Sequence, residues 1–484
     1  MSPKRVPKFL IFFLLSAFWR GIYAESYSNF RMDDSSLLGD GVIPVRSRGR
    51  ASSVSENPPK YRTDSGFYSS LYAWTKGDSQ KGGVREDQAR KSYGRASIAP
   101  EFGWFRESES SRVLFLISPI FTYSERDESK REISRLQDGE AILSLSKDIG
   151  SLRIRGEAGR GFQRLDGMGF LFSNIMNYAE MGWEILPWKL RGSLMGGEFS
   201  YSVAYSDRDR SESQLRILGG DLVWEPESVL KSMRLYHYQY GEPRQEAVKA
   251  DLYRNEEPFR AYGYFRYSGG EWESRVVGKT KLEATAIHVE GRRENATNPL
   301  YSDKSRQTTN SWMGTLGATW KEDTVSYFVR TFYSKEDPNF RIDRNSDGYS
   351  PIKGDPRGLL APFSILLLRD FSSKEDTVFS GVDSPRKPVF ENSGIQYYQF
   401  GASKEWGGGW TSTLAGGFGI SYIGRGLECI ATSGWKGESG YIVGGIAYAW
   451  VDPERDESYI IDEIRRPVAN REYFRWYASG GIRF

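Results

Sequence analysis

The final fourteen residues, Arg471 to Phe484, alternate between two kinds of side chain. Phe474, Trp476, Ala478, Gly480, Ile482 and Phe484 fall on one side, and Tyr473, Arg475, Tyr477, Ser479 and Arg483 on the other. A period of two is the signature of a strand with one apolar face. A half-buried strand of a soluble sheet shows the same alternation, but it seldom runs this long or finishes the chain on an aromatic residue.

The same texture fills most of the chain. Ser151 to Arg160 places Leu152, Ile154, Gly156 and Ala158 opposite Arg153, Arg155, Glu157 and Gly159. Trp410 to Tyr422 sets Trp410, Leu414, Phe418, Ile420 and Tyr422 against Thr411, Thr413, Gly417 and Ser421. Comparable runs recur from Gly66 onward, separated by polar segments, with no stretch of helical period long enough for a second domain. Residues 188–206 read as two strands with a hairpin at Gly196-Gly197, and Leu359 to Leu368 as another strand bent at Pro362; an inward-folding loop is the alternative there. The connections alternate in length. Those around 125–138, 206–213, 241–257, 291–310, 335–358, 370–393 and 452–470 are long and charged, whereas Trp406–Gly409 and Gly437–Gly440 are tight.

Hydropathy reveals no run of about 20 apolar residues that could cross a bilayer as a helix. Near the start, Lys4, Arg5 and Lys8 precede an apolar run from Phe9 to Phe18 and a small-residue site near Ala24. This is the layout of a cleaved secretory signal peptide. Residues 25–65 are rich in Ser, Asp, Arg, Gly and Pro and read as a flexible periplasmic leader. An exported chain with 14% aromatic residues, 52 Gly and 27% charged residues suits a closed transmembrane barrel, apolar towards lipid and polar in its lumen and loops. Closure follows from hydrogen bonding, since an unpaired strand edge in lipid costs several kcal/mol per group. The expected fold is all-β, a single antiparallel up-and-down barrel over residues 66–484 with about 16 to 20 strands, eighteen as the single figure. Trp104, Trp224, Trp320, Tyr422, Trp435 and Trp450 are the candidates for its interfacial aromatic girdles. No fixed repeat supports a propeller or solenoid.

Chemistry is sparse. A formal net charge of +3 gives no support to nucleic-acid binding, and a lone cysteine, Cys429, excludes an internal disulfide. Cys429 shares a face with Leu427 and Ala431 and reads as a wall residue. His237 and His288, the two histidines, lie in alternating runs with no nucleophile motif beside them, so no catalytic group is assigned. Asp343, Asn345 and Asp347, followed by Gly348, reproduce half of a calcium loop without its terminal Glu. They leave two readings, a weak loop-bound Ca²⁺ site and an ordinary turn; no other cofactor is expected.

Together these residues resemble an outer-membrane β-barrel protein of the porin type. The tail Trp476, Ala478, Gly480, Ile482, Phe484 is similar to the signal by which such barrels reach their assembly machinery in the outer membrane. The usual Gly five places from the end is Ser479 here, with Gly480 and Gly481 following. The mature length is similar to that of alginate-export-type and specific-porin barrels. That resemblance implies a bacterial outer-membrane channel, embedded in outer-membrane lipid, for diffusion or export of small polar or anionic solutes, sugar acids among them. Arg153, Arg155, Arg266, Arg330, Arg475 and Arg483, together with Glu157, are the pore-lining candidates. Glu101, Glu157, Glu180 and Glu184 are placed to neutralise the arginines, in which case the pairs stiffen the wall. A surface adhesin with an occluded lumen and long ligand-binding loops is the alternative function.

Overall fold

The structure is a computed structural model that describes residues 64–81, 90–126, 130–134, 139–200, 214–226, 228–242, 261–295, 306–335, 345–346, 349, 352, 358–367, 394–421, 424–437, 439–453, 459–461, 464–466 and 472–484. The expected signal peptide and leader lie outside these residues, except that Asp64 and Ser65, expected in the leader, begin the first strand. The described chain forms a closed barrel of 18 antiparallel strands. In chain order they are β1 (Asp64–Lys81), β2 (Arg90–Glu107), β3 in two segments (Ser111–Ser118 and Phe121–Arg126) and β4 in two (Lys130–Ser134 and Glu140–Ile149). Next come β5 (Leu152–Arg164), β6 (Ser173–Ile185), β7 (Leu190–Ser200), β8 (Gln214–Trp224) and β9 (Leu230–Glu242). The series continues with β10 (Ala261–Ser274), β11 (Thr280–Asn295), β12 (Arg306–Glu322), β13 (Val325–Ser334) and β14 (Ile395–Gly407). It ends with β15 (Trp410–Ser421), β16 (Gly424–Lys436), β17 (Gly440–Pro453) and β18 (Glu472–Arg483).

Each strand pairs with its sequence neighbours, and β18 closes the sheet on β1 with Tyr72 opposite Arg483 and Lys81 opposite Phe474. The last residue is part of that seam, because Leu71 and Phe484 exchange N–H···O=C bonds of 3.1 and 2.9 Å. No edge is left along this seam, which is the condition for crossing lipid. β3 breaks at Pro119, whose missing N–H cannot join the ladder.

Burial follows the predicted alternation. Along β18, Tyr473, Arg475, Tyr477 and Ser479 are buried towards the lumen, while Phe474 and Trp476 are exposed on the outer wall. Exposed Leu143, Leu145, Met181, Leu194, Leu218, Leu316, Leu414, Leu427 and Ile446 make that wall an apolar belt. Of the girdle candidates, Trp224, Trp320 and Trp450 are exposed there, Trp104 and Trp435 are half-buried on the same face, and Tyr422 lies outside the described residues. Short turns such as Gly407–Gly409, where φ is positive at three consecutive glycines, collect at the end of the barrel that holds Phe484; the strand ends that flank the long connections lie at the other end.

Two expectations about elements change. The Gly196-Gly197 pair is not a hairpin, since β7 runs straight through it. Gly197 is small because β6 crosses there at close range, where a Cβ would run into Met176 and the backbone of Asn177. Leu359 to Leu368 is not a strand: residues Gly358–Leu360 form a 3₁₀ turn, and every residue from Gly358 to Leu367 is buried. This segment folds inward from the long connection between β13 and β14, which was the alternative reading. A second segment, Leu165 to Phe172 between β5 and β6, is buried with it. One apolar cluster joins the two loops to Tyr236, Tyr238, Phe332, Tyr397 and Tyr477 of the inner wall.

Candidate functional site: the lumen and its infolded loops

Folding a loop into a barrel removes its backbone from water, so its N–H and C=O groups need partners inside. Each infolded loop meets that need with a carboxylate. Asp166 accepts N–H bonds from Phe170 at 2.7 Å, Leu171 at 2.7 Å and Phe172 at 3.3 Å, closing its own loop. Burial pushes the Asp166 carboxyl up from its ordinary range, against the pull of these donors and of Arg164. Glu271 of β10 adds an acceptor for Gly167 N–H at 2.6 Å. For the second loop the carboxylate comes from β16. Glu428 accepts from Ser364 Oγ at 2.6 Å, Ile365 N–H at 2.8 Å, Leu366 N–H at 3.2 Å and Tyr397 Oη at 2.6 Å. Gln399 donates to the Leu359 carbonyl at 2.8 Å, and Arg475 to the Ser364 carbonyl at 3.1 Å.

Side-chain packing completes the loops. Phe170 meets Phe332 with ring centroids 5.1 Å apart, and Phe363 stands edge-on to Tyr477 at 5.4 Å. Ile352 N–H donates to the Leu171 carbonyl at 3.0 Å, which ties the two loops together. Leu359 and Leu360 hold φ of 59° and 54°, an arrangement that costs about 1–3 kcal/mol each for side chains with a Cβ. Burial of Leu359, Leu360, Phe363, Ile365, Leu366 and Leu367, at roughly 1.5–3 kcal/mol apiece, outweighs it.

Around the loops the inner wall is charged and paired. Arg153 donates to both oxygens of Asp148 at 2.7 and 3.0 Å, and Arg155 meets Glu180 at 3.5 Å. Arg330 lies 3.5 Å from Glu283 and over the Phe328 ring at 4.1 Å. Arg475 binds Asp78 through two bonds of 3.0 and 2.9 Å, linking β18 to β1 across the closing seam. Glu157 accepts a bond from Tyr178 Oη. Arg153, Arg155, Glu157, Arg330 and Arg475 lie on the inner face, dispersed around the wall. Arg266 does not. It stands exposed on the outer face of β10, 3.6 Å from Glu290, because Phe265 and Tyr267 take the inward positions. The side chain of Arg483 and the Asp343, Asn345 and Asp347 side chains lie outside what is described. Cys429 is exposed on the outer wall beside Leu427, as expected.

Several lumen residues were not picked out from the sequence. Arg234 is fully buried between Asp221 at 2.8 Å and Glu271 at 3.5 Å, and Arg191 meets Glu225 at 3.0 Å. Lys231 and Lys281 bind Glu273 at 2.9 and 2.6 Å. The signal was present in the alternation Arg234, Tyr236, Tyr238, Tyr240 against Leu235, His237, Gln239, whose bulky polar row is the inward one. Access distinguishes the arginines. Arg234, Arg330 and Arg475 are sealed, whereas the Arg155 and Arg191 side chains retain 21% and 19% exposure.

No family model and no curated protein matches the sequence. Among solved structures the chain is similar to OccAB1 of Acinetobacter baumannii, with 10% identity and a TM-score of 0.50 over 86% of this chain and 96% of that one. OccK5 (OpdH) of Pseudomonas aeruginosa gives 10% identity and a TM-score of 0.49 over 86% and 98%. OccK2 (OpdF) of the same organism, solved with glucuronate, gives 10% and 0.47 over 86% and 96%. At these identities the likeness is one of fold: the chain has the architecture of the outer-membrane β-barrel porins.

Proposed function

We propose that the protein is an outer-membrane channel through which small polar and anionic solutes diffuse past the two infolded loops. The observation that carries this reading is the contrast between the two faces of one sheet. The outer face is an apolar belt, and the inner face holds Arg153, Arg155, Arg191, Glu180, Glu184 and Glu225, with Arg155 and Arg191 still open to the lumen. Guanidinium groups in that position pair with carboxylates by two parallel N–H bonds, which favours solutes such as sugar acids. The terminal residues Trp476, Gly480, Ile482 and Phe484 would serve as the signal to the assembly machinery, and the surrounding lipid as the solvent of the belt.

Swelling of liposomes containing the purified, heat-resistant folded protein tests the proposal. A uronic acid should enter faster than the neutral sugar of the same size, and liposomes that admit neither would overturn it. A second reading, a surface adhesin with a closed lumen, draws on the apolar cluster that the two loops form inside the barrel. It predicts no swelling, together with ligand binding that deletion of the long loops abolishes.

A further inference from the structure

The apolar belt is not uniform. On β14, β15, β17 and β18 it stays aromatic to its upper edge through Tyr398, Phe400, Phe418, Tyr448 and Phe474. On β5 to β8 the outward residues at the same height are Arg160, Asn177, Glu198 and Arg216, a single row of cross-strand partners. Arg216 lies eight residues along β8 from Trp224 at the short-turn end. At about 3.3 Å per residue and a tilt near 40°, that is about 20 Å up a belt roughly 25 Å tall. The row is cross-linked, with Arg160 donating to Asn177 at 3.3 Å and Arg216 to Glu198 at 3.0 Å, and both Arg216 and Glu198 are exposed. Charge on a lipid-facing wall at this depth is costly unless something polar meets it.

Directly below the row the wall carries a shallow, open depression. A groove of about 710 Å³ runs over Ala179, Gly196 and Leu218 and reaches Asn177, Glu198 and Arg216 at its top. Its shape comes from missing side chains: a Cβ at Gly196 would meet nothing nearer than Leu218 Cδ1 at 3.6 Å. A trough over Ala179, Gly196 and Leu218 that ends on Arg216, with Arg160 beside it through its bond to Asn177, has the polarity of a lipid with an anionic head. We propose that this groove binds one membrane phospholipid of net negative charge, with the phosphate on Arg216 and Arg160 and an acyl chain laid over Ala179 and Gly196. Charge complementarity selects this occupant, since two arginines face one acid in the row, and arginine binds phosphate through paired N–H groups. The inference rests on the membrane reading of the belt but not on the channel.

Native mass spectrometry of the full barrel in detergent, equilibrated with equal phosphatidylglycerol and phosphatidylcholine of matched chains, tests it. One phosphatidylglycerol should be retained about tenfold over phosphatidylcholine, the size of one charge-assisted contact. The R160Q/R216Q double variant should lose that preference with phosphatidylcholine retention unchanged. G196F, which keeps every charge and fills the trough, should lose the retained lipid altogether, and it stands as the test should the double variant fail to give a heat-resistant fold. Equal retention of both lipids by the wild type, or retention unaltered in G196F, overturns the proposal. So does a dimer that disappears in the variants, for then a second copy covers the groove. A protein that fails to insert into bilayers at all would remove the membrane reading as well, an outcome the lipid count alone does not give.

Discussion

The residue that ties most of this molecule together is Arg475. It sits in the last strand, is fully buried, binds Asp78 of the first strand through two bonds, and donates to the Ser364 carbonyl of an infolded loop. Removing one partner of a buried, hydrogen-bonded ion pair costs about 3–5 kcal/mol, because the other charge is left without compensation. R475M should therefore lower barrel stability by about that much in urea unfolding followed by the heat-resistant gel band. R475M combined with D78L should recover part of the loss, and a double variant no better than the single would show that the seam does not depend on this pair. At this scale the sequence was partly readable. Period two set Arg153, Arg155 and Arg475 on the polar side of their strands, since parity survives small errors in strand ends. Arg266 came among the pore-lining candidates from the resemblance to barrels with charged lumens, whereas the flanking aromatics Phe265 and Tyr267 are the inward residues. A polar lumen filled by aromatic packing reverses that expectation.

At the scale of elements, the Gly358–Leu367 loop is held by a carboxylate of the wall. Glu428 accepts bonds from two loop N–H groups, the Ser364 hydroxyl and the Tyr397 hydroxyl, so E428A leaves several buried donors without a partner. The cost per unsatisfied donor is about 1–3 kcal/mol. The barrel itself does not depend on those bonds, so E428A should fold and yet show larger or noisier single-channel conductance in planar bilayers. Conductance identical to the wild type would mean that the loop does not set the lumen's width. Strands were legible because alternation is written locally, whereas this loop was not. Leu359 to Leu368 is as apolar as a buried strand, and only the positions of Glu428, Gln399 and Arg475, far along the chain, decide that it turns inward. The Gly196-Gly197 pair misled for a related reason: glycine serves close strand contact as well as turns.

On the scale of the whole molecule, three facts were readable together: an all-β chain, a closed barrel, and about eighteen strands. Closure was implied by the apolar outer face, and the strand number by the count of alternating runs. How the lumen is filled was not, because it arises from contacts between residues more than 60 positions apart, such as Ser364 with Glu428 and Gly167 with Glu271. The outer wall carries a similar lesson, since the polar row from Arg160 to Arg216 emerges only when β5 to β8 are set side by side. On the proposed function, solutes cross through a lumen in which Arg155 and Arg191 are the arginines they meet. The direct measurement is the zero-current potential across a planar bilayer in a tenfold salt gradient, for the wild type and for R155E/R191E. Anion preference is expected in the wild type, with a shift of about tens of millivolts towards cations in the variant, since about four units of charge change at the lumen wall. Pores whose potential is the same in both proteins, or a folded barrel that passes no current, would contradict it.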